Sequence, residues 1–165
     1  MKFSIVHELA VPADKLWENL FEPELEASVK QAIKLSEFRV LESKDAGNMT
    51  LRKVHVHPDI PLPGPLKAVF KSLGYTEEDR IAKTGMQYDF SVTPDSMADK
   101  IHIGGNFKVE PLGADRCRRT LSGEVTIKIF GVGKLAEKFA IDELDKNYAQ
   151  VAREQERWIK AKGRA

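Results

Sequence analysis

The longest regular pattern in the sequence lies near its end, at residues 131–162. Glycine and proline are absent from this segment after Gly133, and apolar residues recur every three or four positions with charged residues between them. The apolar positions are Val132, Leu135, Phe139, Ala140, Leu144, Tyr148, Val151, Trp158 and Ile159. The pattern predicts a helix on the order of 40 Å long, at about 1.5 Å per residue. Leu135 and Phe139 lie well round the helical wheel from Leu144 and Tyr148, so we expect the two ends to face different neighbours.

Most of the chain before this helix alternates between apolar and polar positions, as half-buried strands do. Seven strands are predicted, at residues 3–11, 36–44, 49–57, 75–83, 86–92, 101–109 and 117–129. Short turns such as 45–48 join most of them, which favours an antiparallel sheet. The strand at 75–83 is the most polar and is expected at a sheet edge or facing a wet region. Gly104 and Gly105 predict a β-bulge in the sixth strand.

Three short helices are predicted between the strands. Two follow the first strand directly, one at 13–21 after Pro12 and one after Pro23. The third follows the rigid, proline-rich segment 59–65 and ends at Gly74. Its apolar residues are Leu66, Val69, Phe70 and Leu73. We interpret this helix as a lid over a cavity mouth, or as a transient membrane contact aided by its lysines, with a surface helix packed on the sheet edge as the alternative.

The order of these elements predicts a single α+β domain over residues 1–165. A curved antiparallel sheet of about seven strands would wrap around the long C-terminal helix, with two short helices after the first strand. Side chains seldom fill such an interface completely, so an elongated apolar cavity is expected. Gly104, Gly105 and Gly123 would remove volume from its inner wall. The alternative is a filled core in which these glycines serve only the curvature of the sheet.

This arrangement resembles the START-like (SRPBCC) helix-grip superfamily, which includes polyketide cyclases, pollen-allergen-type carriers and lipid-transfer domains. The resemblance spans nearly the whole chain, and two of its segments are P-A-x-x-L-W at 12–17 and G-E-x-x-I-x-I at 123–129. These two segments are similar to one bacterial branch of unknown function. The motifs are architectural, so the resemblance implies the fold and a cavity for a hydrophobic ligand, and it leaves the ligand open.

Composition narrows the partners and the compartment. A chain of 165 residues with a net charge of +1 has no basic stripe for nucleic acid, so no nucleic-acid partner is expected. The N-terminus has no signal-peptide pattern and no apolar run is long enough to cross a membrane. The single cysteine, Cys117, cannot form an internal disulfide and suits a reducing compartment, which predicts a cytoplasmic protein. No cofactor is expected.

The candidate ligand-binding residues share the inward phase of the strands and the apolar stripe of the long helix. They are His7, Tyr88, Phe90, Ile103, Phe107, Arg119, Leu121, Phe139, Leu144 and Tyr148. His7 would be a hydrogen-bonded core residue or would face a ligand head group. Because an unpaired charge is unfavourable inside a protein, Arg119 marks the polar end of the cavity or a strand end in water.

Other candidate chemistry is weaker. His55, His57 and Asp59 form a metal half-site pattern, but no other His or Cys cluster accompanies them, so solvated residues at a strand end are favoured and no metal is expected. Residues 131–134 resemble the end of a phosphate loop, yet Leu135 stands where Ser or Thr is required. Cys117 has no activating neighbour in the sequence.

Three functions remain open. The first is non-catalytic binding or transfer of a lipid-like or other hydrophobic small molecule. The second is a cyclase- or dehydratase-like enzyme, in which His7, Tyr88, Arg119 and Tyr148 supply proton transfer and oxyanion support. The third is a protein-interaction module, which would show an exposed apolar patch and a collapsed cavity.

Overall fold

The computed structural model describes residues 1–163, so the last two residues of the predicted domain lie outside the described part. Within it, seven strands and four helices follow one another in an order that matches the α+β prediction. The elements are β1 Lys2–Leu9, α1 Ala13–Asn19, α2 Pro23–Ala32, β2 Leu35–Asp45, β3 Met49–Pro58, α3 Gly64–Lys67, β4 Tyr75–Ala82, β5 Gln87–Pro94, β6 Ile101–Pro111, β7 Cys117–Ile127 and α4 Gly133–Ala161.

The seven strands form one antiparallel sheet in the order β1-β7-β6-β5-β4-β3-β2. Strands β2 to β7 run as a meander, in which short turns join most neighbours and residues 59–74, which include α3, connect β3 to β4. Helices α1 and α2 interrupt the chain after β1, so β1 pairs with β7 and not with β2. The antiparallel helix-grip prediction is therefore confirmed.

Helix α4 lies across the concave side of the sheet and contacts β1, β7 and α2. Its C-terminal half is anchored by Trp158 and Ile159, which are buried in the core, and Trp17 of α1 also packs against that core. Near the N-terminus Leu135 is exposed, whereas Phe139 packs against the core on the side of Leu144 and Tyr148. The expectation that the two ends of the helix face different neighbours is therefore wrong for Phe139, which packs against the same core as Leu144 and Tyr148, whereas Leu135 is exposed.

The glycines of β6 and β7 do not have the role expected from the sequence. The pairing of β6 is continuous on both sides, so Gly104 and Gly105 form no bulge, and the irregular pairing lies in β2 instead. Gly105 lies opposite Gly123, and a Cβ on Gly105 would stand 2.0 Å from the carbonyl oxygen of Ser122. The two glycines therefore allow a close approach of neighbouring backbones.

Two other local features differ from the sequence prediction. Of the two alternatives for strand β4, the edge position is wrong, because β3 and β5 flank it in the meander. The third helix covers only Gly64–Lys67, not the whole stretch from Leu66 to Leu73. Pro63 and Pro65 favour a helix start two residues earlier than expected, and the last helical hydrogen bond in the segment joins the Phe70 amide to the Leu66 carbonyl at 2.8 Å.

Candidate functional site

A cavity of about 400 Å³ lies between the inner face of the sheet and α4. Every strand except β1 contributes to its wall, together with α2, α3, α4 and the segment that follows α3. Most of the lining is aliphatic or aromatic. The bent sheet and the straight helix therefore leave an apolar space that their own side chains do not fill.

The structure brings together all of the predicted ligand-binding residues except His7. The lining includes Tyr88, Phe90, Ile103, Phe107, Arg119, Leu121, Phe139, Leu144 and Tyr148. Among the predicted lid residues Leu66, Phe70 and Leu73 also line the cavity, whereas Val69 does not. None of Gly104, Gly105 and Gly123 lies in the wall, so these glycines do not enlarge the cavity by the direct route expected above.

His7 lies outside the cavity lining, as does every other residue of β1, the edge strand at one end of the sheet. It pairs with Arg119 of β7 and is half-buried. Burial lowers the pKa of His7, and the positive charge of Arg119 lowers it further. A neutral imidazole in this position packs beside the cavity wall and does not face the enclosed space.

Arg119 is a buried cation, with 2% of its surface exposed. Its guanidinium donates to the side-chain oxygen of Gln155, and at 3.0 Å to the backbone carbonyl of Tyr148. It also lies over the rings of Tyr148 and Phe107, at 5.1 and 5.7 Å from the ring centres. Burial lowers the pKa of Arg119 to about 10, so the group stays charged at neutral pH. Sequence analysis left two places open for Arg119, the polar end of the cavity or a strand end in water. Arg119 lines the cavity, so it occupies the first.

Sequence analysis missed the second polar group of the cavity, the carboxyl pair Glu77 and Asp79. Both side chains project inward from β4 and line the cavity, and Asp79 is only 3% exposed. Asp79 pairs across the sheet with Arg52 of β3 and Phe90 of β5. The inward alternation of Tyr75, Glu77, Asp79 and Ile81 was present in the sequence, but charged residues also occupy the outward positions, which hid the phase.

Glu77 and Asp79 share a hydrogen bond, which requires that one of the two carboxyls keeps its proton. Burial raises the pKa of Glu77 well above its ordinary value, and the charge and hydrogen bond of Asp79 raise it further. Burial also raises the pKa of Asp79, to about 6, although the hydrogen bond from Glu77 opposes that shift. The two carboxyls therefore share a proton, and burial favours its retention by the pair.

Arg52 connects this pair to helix α2. Its guanidinium forms an ion pair with Glu26, and its Nη1 lies 4.0 Å from Oδ2 of Asp79. The rings of Phe21 and Phe38 lie 5.0 and 5.8 Å from the guanidinium carbon. The other oxygen of Asp79, Oδ1, is buried and has no hydrogen-bond partner within residues 1–163.

Three tyrosines complete the polar part of the cavity. Tyr75, Tyr88 and Tyr148 all line it, and burial is the largest cause that raises the pKa of each. The negative charges that Glu77 and Asp79 can carry also contribute to the raised pKa of all three. Tyr88 stacks on Phe107, with 5.0 Å between ring centres. The cavity therefore combines an apolar wall with hydroxyl and carboxyl groups near β4.

The histidines of β3 lie on the opposite face of the sheet. Nδ1 of His55 lies 2.6 Å from a carboxylate oxygen of Glu37, and its Nε2 lies 2.9 Å from Asp95. The hydrogen bond to Asp95 is the main cause that raises the pKa of His55. Asp59 is exposed, and the described residues contain no cluster of His, Cys, Asp and Glu suited to a metal ion. His55 is thus held by carboxylates and is not simply solvated as expected.

Cys117 is buried in the core, and burial raises the pKa of its thiol to about 11. The neutral thiol is the predominant form at neutral pH, which is unfavourable for a nucleophile. Among the helices of residues 1–163, none has the combination of length and apolar character that crossing a bilayer requires.

The sheet, the gripped helix and the cavity between them define a START-like helix-grip protein. The chain belongs to the family described as a protein of unknown function, DUF2505, which matches residues 4–159. A comparison with curated proteins gives no match.

Solved structures with the same fold include enzymes and a protein named only by its superfamily. The Zhui aromatase/cyclase from Streptomyces sp. R1128 superposes with a TM-score of 0.72 at 16% identity, covering 99% of this chain and 98% of that one. Norcoclaurine synthase from Thalictrum flavum gives 0.64 at 19% identity, with coverages of 96% and 87%. A START superfamily protein from Mycobacterium smegmatis gives 0.60 at 14% identity, with 97% of each chain covered. At these identities the similarity shows the fold alone.

Proposed function

We propose that this protein binds a hydrophobic small molecule in the cavity between the sheet and α4, and holds or transfers it without changing it chemically. The observation that carries the proposal is the cavity itself, whose volume of about 400 Å³ falls in the range of ligand pockets. An apolar cavity of roughly 150 Å³ accommodates one benzene molecule. The space therefore suits a ligand with two or three fused rings, or a compact aliphatic chain.

The segment after the proline-rich loop is proposed to act as a lid. Leu66 is buried, and Phe70 and Leu73 line the cavity from the same segment. The short helix α3 makes only one turn, so few backbone hydrogen bonds hold this segment in place. A movement of this segment would open the cavity at modest free-energy cost. Transient contact with a membrane during transfer, and a cytoplasmic location, belong to the same proposal.

The residues first considered for catalysis favour binding over chemistry. Tyr88, Arg119 and Tyr148 line one cavity, but His7 lies apart from it. Arg119 contacts Tyr148 through the backbone carbonyl and the ring face, not through the hydroxyl. A proton relay requires side chains within hydrogen-bond reach of each other, and these four residues form no such chain.

A cyclase- or dehydratase-like enzyme is the second candidate, favoured by one observation. Glu77 and Asp79 share a hydrogen bond and both have raised pKa values, so the pair can hold one proton between its two carboxyls. Such a pair supplies an acid and a base in one site. The aromatase/cyclase and the synthase among the similar structures make this alternative worth testing.

Native mass spectrometry of protein purified from its own host tests the proposal. We expect a co-purifying adduct of small mass, which is recovered unchanged after incubation with fresh protein. A mass change during that incubation would favour the enzyme. A fluorescent fatty acid and a fluorescent polycyclic aromatic compound serve as added probes.

A cavity-filling pair of variants provides the control. Leu144→Trp places a larger ring in the cavity, whereas Leu135→Trp changes an exposed position on the same helix. Leu144→Trp should weaken probe binding at least tenfold, and Leu135→Trp should leave it unchanged. The absence of both an adduct and any probe binding would contradict the proposed function.

A further inference from the structure

The wall of the cavity at β4 contains a polar atom that no described residue satisfies. Only 3% of the Asp79 surface is exposed, and its Oδ1 accepts no hydrogen bond within residues 1–163. Buried acceptors in folded proteins almost always have a partner, because desolvation without one is unfavourable. Asp79 is one of the residues that line the cavity, so its carboxyl group borders the space that a ligand would fill.

The charges around Asp79 do not balance. Arg52 is the cation of this cluster, and it forms its close ion pair with Glu26 while lying 4.0 Å from Asp79. Glu77 is a third carboxyl of this cluster, and burial raises its pKa and so favours its neutral form. One guanidinium therefore faces three carboxyl groups, and even with Glu77 protonated the cluster at β4 keeps a negative charge. An incoming positive charge would neutralise it.

Arg119 does not supply this missing positive charge. It lies on β7, three strands away from β4 in the sheet order. Three strand spacings correspond to about 14 Å along the sheet. Its guanidinium is already engaged by Gln155 and by the carbonyl of Tyr148. The negative charge at β4 and the positive charge at β7 are therefore separate features of the cavity wall.

The surroundings of Asp79 also suit an ammonium group. Phe90 pairs with Asp79 across the sheet, and Tyr88 belongs to the same inner face of β5. Aromatic faces attract cations. Tyr75, Tyr88 and Tyr148 line the same cavity, and their hydroxyls are groups that can accept a hydrogen bond from an ammonium.

We infer that the ligand of this cavity is an apolar, aromatic-sized molecule that carries one protonated amine, and that Asp79, supported by Glu77, receives this amine. The inference rests on the binding function proposed above and specifies its ligand class. The carboxylate of Asp79 accepts from the ammonium, and Glu77 lies beside it on the same inner face of β4.

A matched series of naphthalene probes tests the inference. 2-(Naphthalen-2-yl)ethylamine, 2-(naphthalen-2-yl)ethanol and naphthalen-2-ylacetic acid share one ring system and differ in the polar group. Isothermal titration calorimetry at pH 7.5 should show the amine binding at least about tenfold more tightly than the carboxylic acid, as expected for a charge-assisted hydrogen bond. The alcohol should fall between them.

Variants of β4 test whether Asp79 causes the preference for the amine probe. In Asp79→Asn the advantage of the amine over the alcohol should fall to about twofold or less, while the alcohol itself still binds. Glu77→Gln serves as a second variant, in which the preference is reduced and not abolished. Glu78→Gln on the outward face of β4 is the matched control and should behave as the wild type. Circular dichroism establishes that each variant is folded.

The outcomes separate the two proposals. Equal affinity for all three probes, tighter binding of the acid, or an amine preference that survives Asp79→Asn would overturn the amine inference alone. No binding of any probe by the wild-type protein, together with no co-purifying adduct, would overturn the binding function and the amine inference together.

Discussion

Replacement of Asp79 by asparagine should stabilise the ligand-free protein at neutral pH. Burial raises the pKa of this carboxyl from 3.8 to about 6 in the folded state. The folded protein therefore holds the proton more tightly than the unfolded chain does. As the pH rises from about 4 to about 6, ionisation favours the unfolded chain, and the resulting loss of stability is complete above pH 6.

The size of the effect follows from the shift. Each pKa unit corresponds to about 1.4 kcal/mol, so a shift of about two units corresponds to about 3 kcal/mol. An asparagine side chain at this position would have nearly the same shape without the charge. For a chain of this length 1 kcal/mol changes the melting temperature by about 2–4 °C. We therefore expect Asp79→Asn to melt about 6–12 °C above the wild type at pH 7.5, with the difference vanishing near pH 4.

Thermal unfolding followed by circular dichroism between pH 4 and pH 8 measures this difference. Glu78→Gln is the matched control, since Glu78 lies on the outward face of the same strand and pairs with Lys53 at the surface. Its difference from the wild type should be small at every pH. The reasoning would be refuted if Asp79→Asn were less stable than the wild type at pH 7.5, or if the difference between them did not change with pH.

The remaining predictions concern Glu137 of α4 and the glycine pair Gly105 and Gly123. Glu137 accepts a hydrogen bond from the Ile127 amide at 3.0 Å, and this bond is the main cause that lowers its pKa from 4.5. Glu137→Gln should therefore be less stable than the wild type above pH 4.5 and approach it as the pH falls below that value. The sign is opposite to that expected for Asp79→Asn. Chemical denaturation of Glu137→Gln and the wild type at pH 3.5 and pH 7.5 measures the difference. Gly105→Ala should lower the free energy of unfolding by at least about 2 kcal/mol, because the new Cβ would lie 2.7 Å from the Cα of Gly123. Gly64→Ala is the control, since a Cβ there meets no atom within 4 Å, and it should be nearly neutral. Urea titration measures both variants. An unchanged midpoint for Gly105→Ala would contradict the assigned role of the glycine pair.

The sequence alone predicted only part of the candidate site. Phe107, Leu121 and Leu144 were assigned to the cavity from their inward phase, and they line it. Strand β4 gave no such signal, because Glu77 and Glu78 are both charged although they point to opposite sides of the sheet. A charged residue in an alternating pattern is expected to face water, and here it faces an enclosed cavity. That exception is what marks the carboxyl pair as a candidate functional feature.

Local patterns in the sequence were sufficient for the elements and for the class of fold. The two-residue period of the strands and the longer period of α4 depend on the backbone geometry of each segment alone, and short turns join most of the strands between α2 and α4 into antiparallel neighbours. Tertiary structure decided the rest, because it depends on which distant residues meet. Only the folded sheet brings Arg52 of β3 beside Asp79 of β4, places Gly105 against Gly123, and leaves His7 outside the cavity. The raised pKa values, the shared proton and the free oxygen of Asp79 all arise from burial and proximity, which no single segment of the chain contains.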